Sequence, residues 1–171
     1  ILCGGRFYAV LAAGYSPSEF AAFGVSLKDR ARTMDEGFDT ILRALSGERF
    51  MFMGREVFVR PLPTRDPREI VYGGGGTRAS ARRAAKFGLS MWPMNDSIIP
   101  DYEEAAAEYG VTDYKFIRGI TSCYITDDPD RDWPRVAPHV AYATNLYAEW
   151  AQERGAGDTL YHSAETKIDA V

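Results

Sequence analysis

Histidine and cysteine are scarce in this chain, two of each in 171 residues, and the scarcity removes several chemistries at once. Cys3 and Cys123 stand far apart with no Cys-x-x-Cys or other metal-ligand spacing, as expected of reduced thiols in a cytoplasmic protein and not of a disulfide-stapled scaffold. His139 directly follows Pro138 and His162 lies in a polar tail, neither with a visible partner for general-base or metal work. Long apolar runs are missing too. None approaches the ~18 residues a membrane helix needs, and no charged, apolar, small-residue leader opens the sequence. Nor is there a large excess of one charge: 20 basic side chains face 24 acidic ones, for a formal charge of −4. Broad electrostatic attachment to nucleic acid is therefore not expected. These absences point to a soluble cytoplasmic protein that handles a small molecule, with no nucleic acid and no membrane among its partners.

What is present fits one domain with a sizeable core, at 46% hydrophobic and 26% charged residues. "RFYAVLAAGY" predicts a buried strand from Phe7 to Ala12, and Ser16, Pro17 and Glu19 mark a helix start. From Ser26 the apolar positions Leu27, Ala31, Met34, Phe38, Ile41, Leu42 and Leu45 keep one helical face, which Gly47 ends. A hairpin around Gly54-Arg55 and a proline-punctuated loop lead to a strand over Glu69 to Tyr72. After the next helix, closed by Gly88, come the strand "LSMWP", a helix from Asp101 to Gly110, the strand "YKFIRGITSCYIT" and a long helix bent at Pro138. The tail from Gly155 is polar and weakly structured. This alternation predicts about four parallel βα units in an α/β fold, either an open doubly wound sheet or part of a closed barrel. A complete (β/α)8 barrel needs roughly 250 residues.

One stretch stands out. "EIVYGGGGTRASARRAAKFG" sets four glycines between an apolar run and a helix, where bare backbone N–H groups and a helix N-terminus favour a phosphate. The segment is no P-loop, because no Gly-Lys-Ser/Thr follows, and it matches Gly-x-Gly-x-x-Gly only weakly. In either α/β architecture ligands sit at the carboxyl ends of parallel strands. The rim would then hold Ala13 to Tyr15, Gly73 to Thr77, Trp92 to Asn95 and Thr126 to Asp128.

At this point the chain resembles the bacterial luciferase-like monooxygenases and their deazaflavin-dependent relatives. Three stretches carry the resemblance: "GGRFYAVLAAGYSPSEFAAFGVSLKDRARTMDEGFDTILRAL", "PREIVYGGGGTRASARRAAKFGLSMWP" and "YITDDPDRDWPRVAPHVAYATNLYAEW". Where relatives have Gly-Asp-Gly after the alanine-rich helix, this chain has Gly88-Leu89-Ser90. The resemblance implies a single domain over residues 1–171, the middle-to-late portion of a TIM barrel without its first strands and its last. It implies FMN or the deazaflavin F420 as cofactor, with Gly73, Gly74, Gly75, Gly76 and Thr77 holding the phosphate by N–H and hydroxyl bonds. Ala13, Gly14 and Tyr15 would lie on the neighbouring rim, with Arg78 as an added charge partner. A small organic substrate and a flavin reductase are the partners it suggests. Residues that act on the substrate would sit on earlier strands, so no catalytic residue is named. The open alternatives are a non-catalytic flavin-binding or assembly protein with an incomplete barrel, and a nucleotide-binding open α/β domain.

Other conspicuous residues have simpler readings. Asp127 and Asp128 precede Pro129 and suit a turn and helix cap better than a metal site. Glu103, Glu104 and Glu108 read as a solvated helix face. Tyr142, Tyr147 and Trp150 read as packing, although a homodimer surface would also use them. Trp92, with Met91 and Met94, is placed either to contact a flat ring or to cover a barrel mouth, and both readings stand.

Overall fold

A computed structural model describes residues 2–118 and 123–153. Along the chain run β1 (Ala9–Leu11), α1 (Pro17–Ala22), a 3-10 turn (Leu27–Asp29), α2 (Arg30–Leu45), β2 (Phe50–Phe52), β3 (Arg55–Val57), α3 (Pro67–Ile70), β4 (Val71–Gly75), α4 (Arg78–Lys86), β5 (Met91–Pro93), a second 3-10 turn (Asp96–Ile98), α5 (Ile99–Tyr109) and α6 (Pro129–Glu153). Among the described residues two compact units divide them: residues 2–14 with 28–118, and residues 15–27 with 123–153.

In the first unit β1, β4 and β5 form a parallel sheet in that order, with Leu11 opposite Gly73 and Gly73 opposite Met91. Phe116 continues the parallel order through an isolated bridge to Met91. The described strands thus follow one another without the reversal that marks the ligand crevice of an open doubly wound sheet. Strand pleating sends alternate residues to opposite faces. On one face Val71 and Leu89 pack with Phe38 and Leu42 of α2, and Met91 packs with Ala81, Ala84 and Ala85 of α4 and with Tyr102, Ala105 and Ala106 of α5. On the other face lie Val10, Tyr72, Gly74 and Trp92.

Small side chains set how closely the layers approach. Ala81, Ala84 and Ala85 of α4 are fully buried, which lets the helix backbone come down onto β4 and against α5. Gly110 ends α5 in the left-handed conformation at φ 69°, the conformation that favours glycine at a helix terminus. The hairpin turn falls on Met53 and Gly54, both at positive φ, as a two-residue type I′ connection requires.

Several boundaries differ from the sequence reading. Glu69 and Ile70 belong to α3 and not to a strand: Asp66 caps it by accepting the Arg68 N–H at 2.8 Å, with Pro67 in the first turn. The strand instead runs through the glycines as far as Gly75, because pairing with β1 and β5 on both sides outweighs the low strand propensity of glycine. Helix α5 begins at Ile99, ahead of Asp101, with Pro100 in its first turn. Of "YKFIRGITSCYIT", only Phe116 pairs among the described residues, and residues 119–122 lie outside them. His162 and the tail from Gly155 also lie outside.

The second unit has α1, whose N-cap Ser16 accepts the Glu19 N–H, and α6, which runs unbroken through Pro134 and Pro138. Asp128 takes the expected capping role, its carboxylate accepting the Arg131 N–H at 3.0 Å. Hydrogen bonding from Arg131, and then from Thr126, holds the Asp132 carboxyl below its usual range. Among the described residues no helix is long and apolar enough to cross a membrane.

Candidate functional site

The four glycines follow β4 to its carboxyl end, and each has a different reason to lack a side chain. A Cβ on Gly73 would lie 2.6 Å from the Ala84 Cβ, so this glycine is what lets α4 pack on the sheet. A Cβ on Gly74 would lie 2.8 Å from Val10 Cγ1 on the opposite face. Gly75 has φ +151° and would meet Ser80 Oγ at 2.5 Å. Gly76 alone has modest neighbours, Met94 Cβ and Asn95 Nδ2, both at 3.3 Å. The glycine run is therefore mostly strand and packing, and only its last member enters the turn before α4.

That turn closes on itself. Thr77 Oγ1 accepts the Ser80 N–H at 3.2 Å, while Ser80 Oγ accepts the Thr77 N–H at 3.1 Å and donates to the Thr77 carbonyl at 2.6 Å. Two of the donors that a helix start leaves over are thus satisfied reciprocally. The N–H groups of Gly76, Arg78 and Ala79 donate to no acceptor among the described residues. The sequence reading passed over Ser80, although a Thr three residues ahead of a Ser at a helix start is the spacing of a capping box.

Arg78 turns its guanidinium toward α5, with Nε 3.4 Å from Asp101 and Nη2 3.3 Å from Glu104. Arg82 pairs with Glu104 and Glu108, and Arg83 with Asp35 of α2 at 2.6 Å. These three guanidiniums are thus spread along two helix seams, Arg78 and Arg82 toward α5 and Arg83 toward α2. Glu104 and Glu108 are exposed, as expected, but they also bind α4 to α5 across that seam.

Tyr102 supports the strand beside the turn. Its hydroxyl donates to the Leu89 carbonyl at 2.8 Å, and its ring meets Tyr114 and Phe116. Burial, and then the neighbouring Tyr114, push its ionisation well above the ordinary phenol range.

The other expected rim residues are dispersed. Ala13 and Gly14 follow β1, the neighbour of β4, whereas Tyr15 opens the second unit and sets its ring edge-on to Trp150 at 6.2 Å. His139 is exposed on α6. No metal-binding group of His, Cys, Asp and Glu occurs among the described residues. A cavity of about 380 Å³ opens around Phe7, Ala9, Leu62, Ile70 and Val71. It lies at the amino ends of β1 and β4, away from the ends where α/β folds hold ligands. What the carboxyl end of β4 offers chemically is a turn of main-chain N–H donors without an acid or base.

The family model for luciferase-like monooxygenases matches residues 1–169. This chain belongs to the luciferase-like monooxygenase family. Among solved structures it is similar to the crystal structure of monooxygenase RslO1 from Streptomyces bottropensis, with a TM-score of 0.60 and 21% identity. The match covers 90% of this chain and 54% of that one, so this member of the luciferase-like family spans about half the length of its structural neighbour. A search of curated proteins gives no match. The fold is the expected one, a parallel α/β arrangement consistent with part of a luciferase-like (β/α)8 barrel.

Proposed function

We propose that this luciferase-like chain is part of a flavin-dependent monooxygenase or oxidoreductase, and that it holds the phosphate of FMN or F420 at the turn from β4 into α4. The observation that carries this reading is the set of unpaired N–H groups of Gly76, Arg78 and Ala79 at the N-terminus of a nine-residue helix, where the helix dipole adds to their pull on an anion. Gly76 leaves the approach to them open, so the residues present fit a phosphate. In this scheme Gly73, Gly74 and Gly75 set the strand's position, Thr77 holds the turn in shape, and Arg78 contributes its backbone N–H. Ala13 and Gly14 line the end of the adjacent strand, and Tyr15 is included on the family resemblance alone.

The bound flavin would supply the redox chemistry. This chain would bind and orient it toward a small organic substrate, with a flavin reductase as electron source and the cytoplasm as its place of work. The test is to titrate the full-length protein, wild type and Gly76→Val, with FMN and with F420 by equilibrium dialysis. A valine at 76 would place its side chain beside the N–H groups, with its Cβ 3.3 Å from Met94 Cβ and Asn95 Nδ2. Affinity is expected to fall about tenfold or more, the effect of losing charge-assisted hydrogen bonds, with the melting curve little changed. Equal affinity in the two proteins would remove the site.

A further inference from the structure

The alternation that buries Met91 and Pro93 of β5 sends Trp92 to the other face of the sheet, where it is 44% exposed. β4 pairs with β5 on one side, and Phe116 bridges Met91 on the other. The residue opposite Trp92 is Gly74, which has no side chain to cover it. Two positions further along, Met94 is also exposed, and a Cβ on Gly76 would come 3.3 Å from its Cβ and 3.9 Å from its sulfur. At about 3.3 Å per residue, Gly76 lies roughly 7 Å beyond Gly74 in the strand direction. An exposed indole, a thioether and bare backbone thus lead to the free N–H groups at the start of α4. That order of surfaces suits a flat ring system joined by a short chain to a phosphate. FMN and the deazaflavin share this build, a tricyclic ring on a five-carbon chain.

We propose that Trp92 is the ring-contacting residue of this chain: its indole lies against the tricyclic ring of the flavin or deazaflavin, and Met94 flanks the linking chain. The inference rests on the flavin reading above and adds to it the residue that reads the ring. Offset aromatic contact and sulfur–aromatic contact supply the attraction.

Contact with an indole quenches flavin emission at short range, and a phenyl ring does not, so the bound cofactor reports on Trp92 directly. The full-length protein and its Trp92→Phe, Trp92→Leu and Trp92→Tyr variants are titrated with FMN and F420, following both the emission of the bound cofactor and the Kd by equilibrium dialysis. The expected result is a dim bound cofactor in the wild type that brightens several-fold in Trp92→Phe. The Kd should rise about three- to tenfold in Trp92→Leu and recover in Trp92→Tyr. A cofactor equally dim in Trp92→Phe, or a Kd unmoved in Trp92→Leu, would overturn the proposal. Binding of neither cofactor by the wild type would remove the flavin reading and this inference with it. If Gly76→Val binds normally while Trp92→Phe brightens, the ring contact stands and the phosphate seat falls.

Discussion

The two faces of the β1, β4, β5 sheet use the same residue for opposite ends. On the helix side Gly73 yields its space to Ala84, so that α4 can sit on the strand and bury three alanines. On the other side Gly74 stands opposite Trp92 and leaves that indole uncovered. One glycine closes a packed layer and its neighbour opens a surface, although in the sequence they are indistinguishable members of one run. A glycine cluster at a strand end is therefore not one motif with one purpose. Each member has to be assigned by the face on which its missing side chain would have pointed.

The comparison can be broken most forcefully at Gly73. Gly73→Ala places a methyl against the fixed Cβ of Ala84 and should cost about 3 kcal/mol, whereas Gly74→Ala meets a Val10 methyl on the half-buried face and should cost less, about 1–2 kcal/mol. Denaturant melts of the two variants check this, and equal losses would mean that the faces do not differ as described. A smaller effect is expected from Tyr102→Phe, which leaves the Leu89 carbonyl without its donor at about 1.5 kcal/mol. The pH dependence sharpens that test. Burial raises the folded-state ionisation of Tyr102 above the ordinary phenol value of about 10, so its stabilisation is complete below pH ~10 and fades as the pH climbs toward the folded value. The wild type should lose stability in that alkaline window more steeply than Tyr102→Phe. The smallest effect belongs to Arg78→Ala. Its guanidinium is exposed, and its surface ion pairs with α5 contribute little, so both the melting curve and the flavin Kd should barely move. A large loss of flavin affinity would instead bring the guanidinium back to the cofactor.

Much of this arrangement is legible in the chain because it is local. Ser16 with Pro17, the glycines at 88 and 110, and the turn at Gly54 act within one helical turn or one hairpin, and residue type alone announces them. The parallel order of strands is legible from their alternation with helices, and the family from three stretches in sequence. The course of β4 through Gly75 is not legible, because it depends on pairing with residues about sixty positions before it and eighteen after it. At the turn into α4 the sequence shows the bare backbone but not the partners of its side chains. Thr77 and Arg78 look like ligands by type, yet the hydroxyl is engaged by Ser80 and the guanidinium by Asp101 and Glu104. Those partners become visible only when α4 and α5 are packed together.

The reciprocal bonds between Thr77 and Ser80 have a consequence for how such a protein is made and loaded. A helix start that depends on an anion for its first hydrogen bonds would fray whenever the anion left, and the chain would need its cofactor at synthesis. Here two of the leading donors are satisfied from within, so the start of α4 does not depend on an anion for those bonds. Should the proposed flavin phosphate bind at this turn, it would meet a helix end that is already formed.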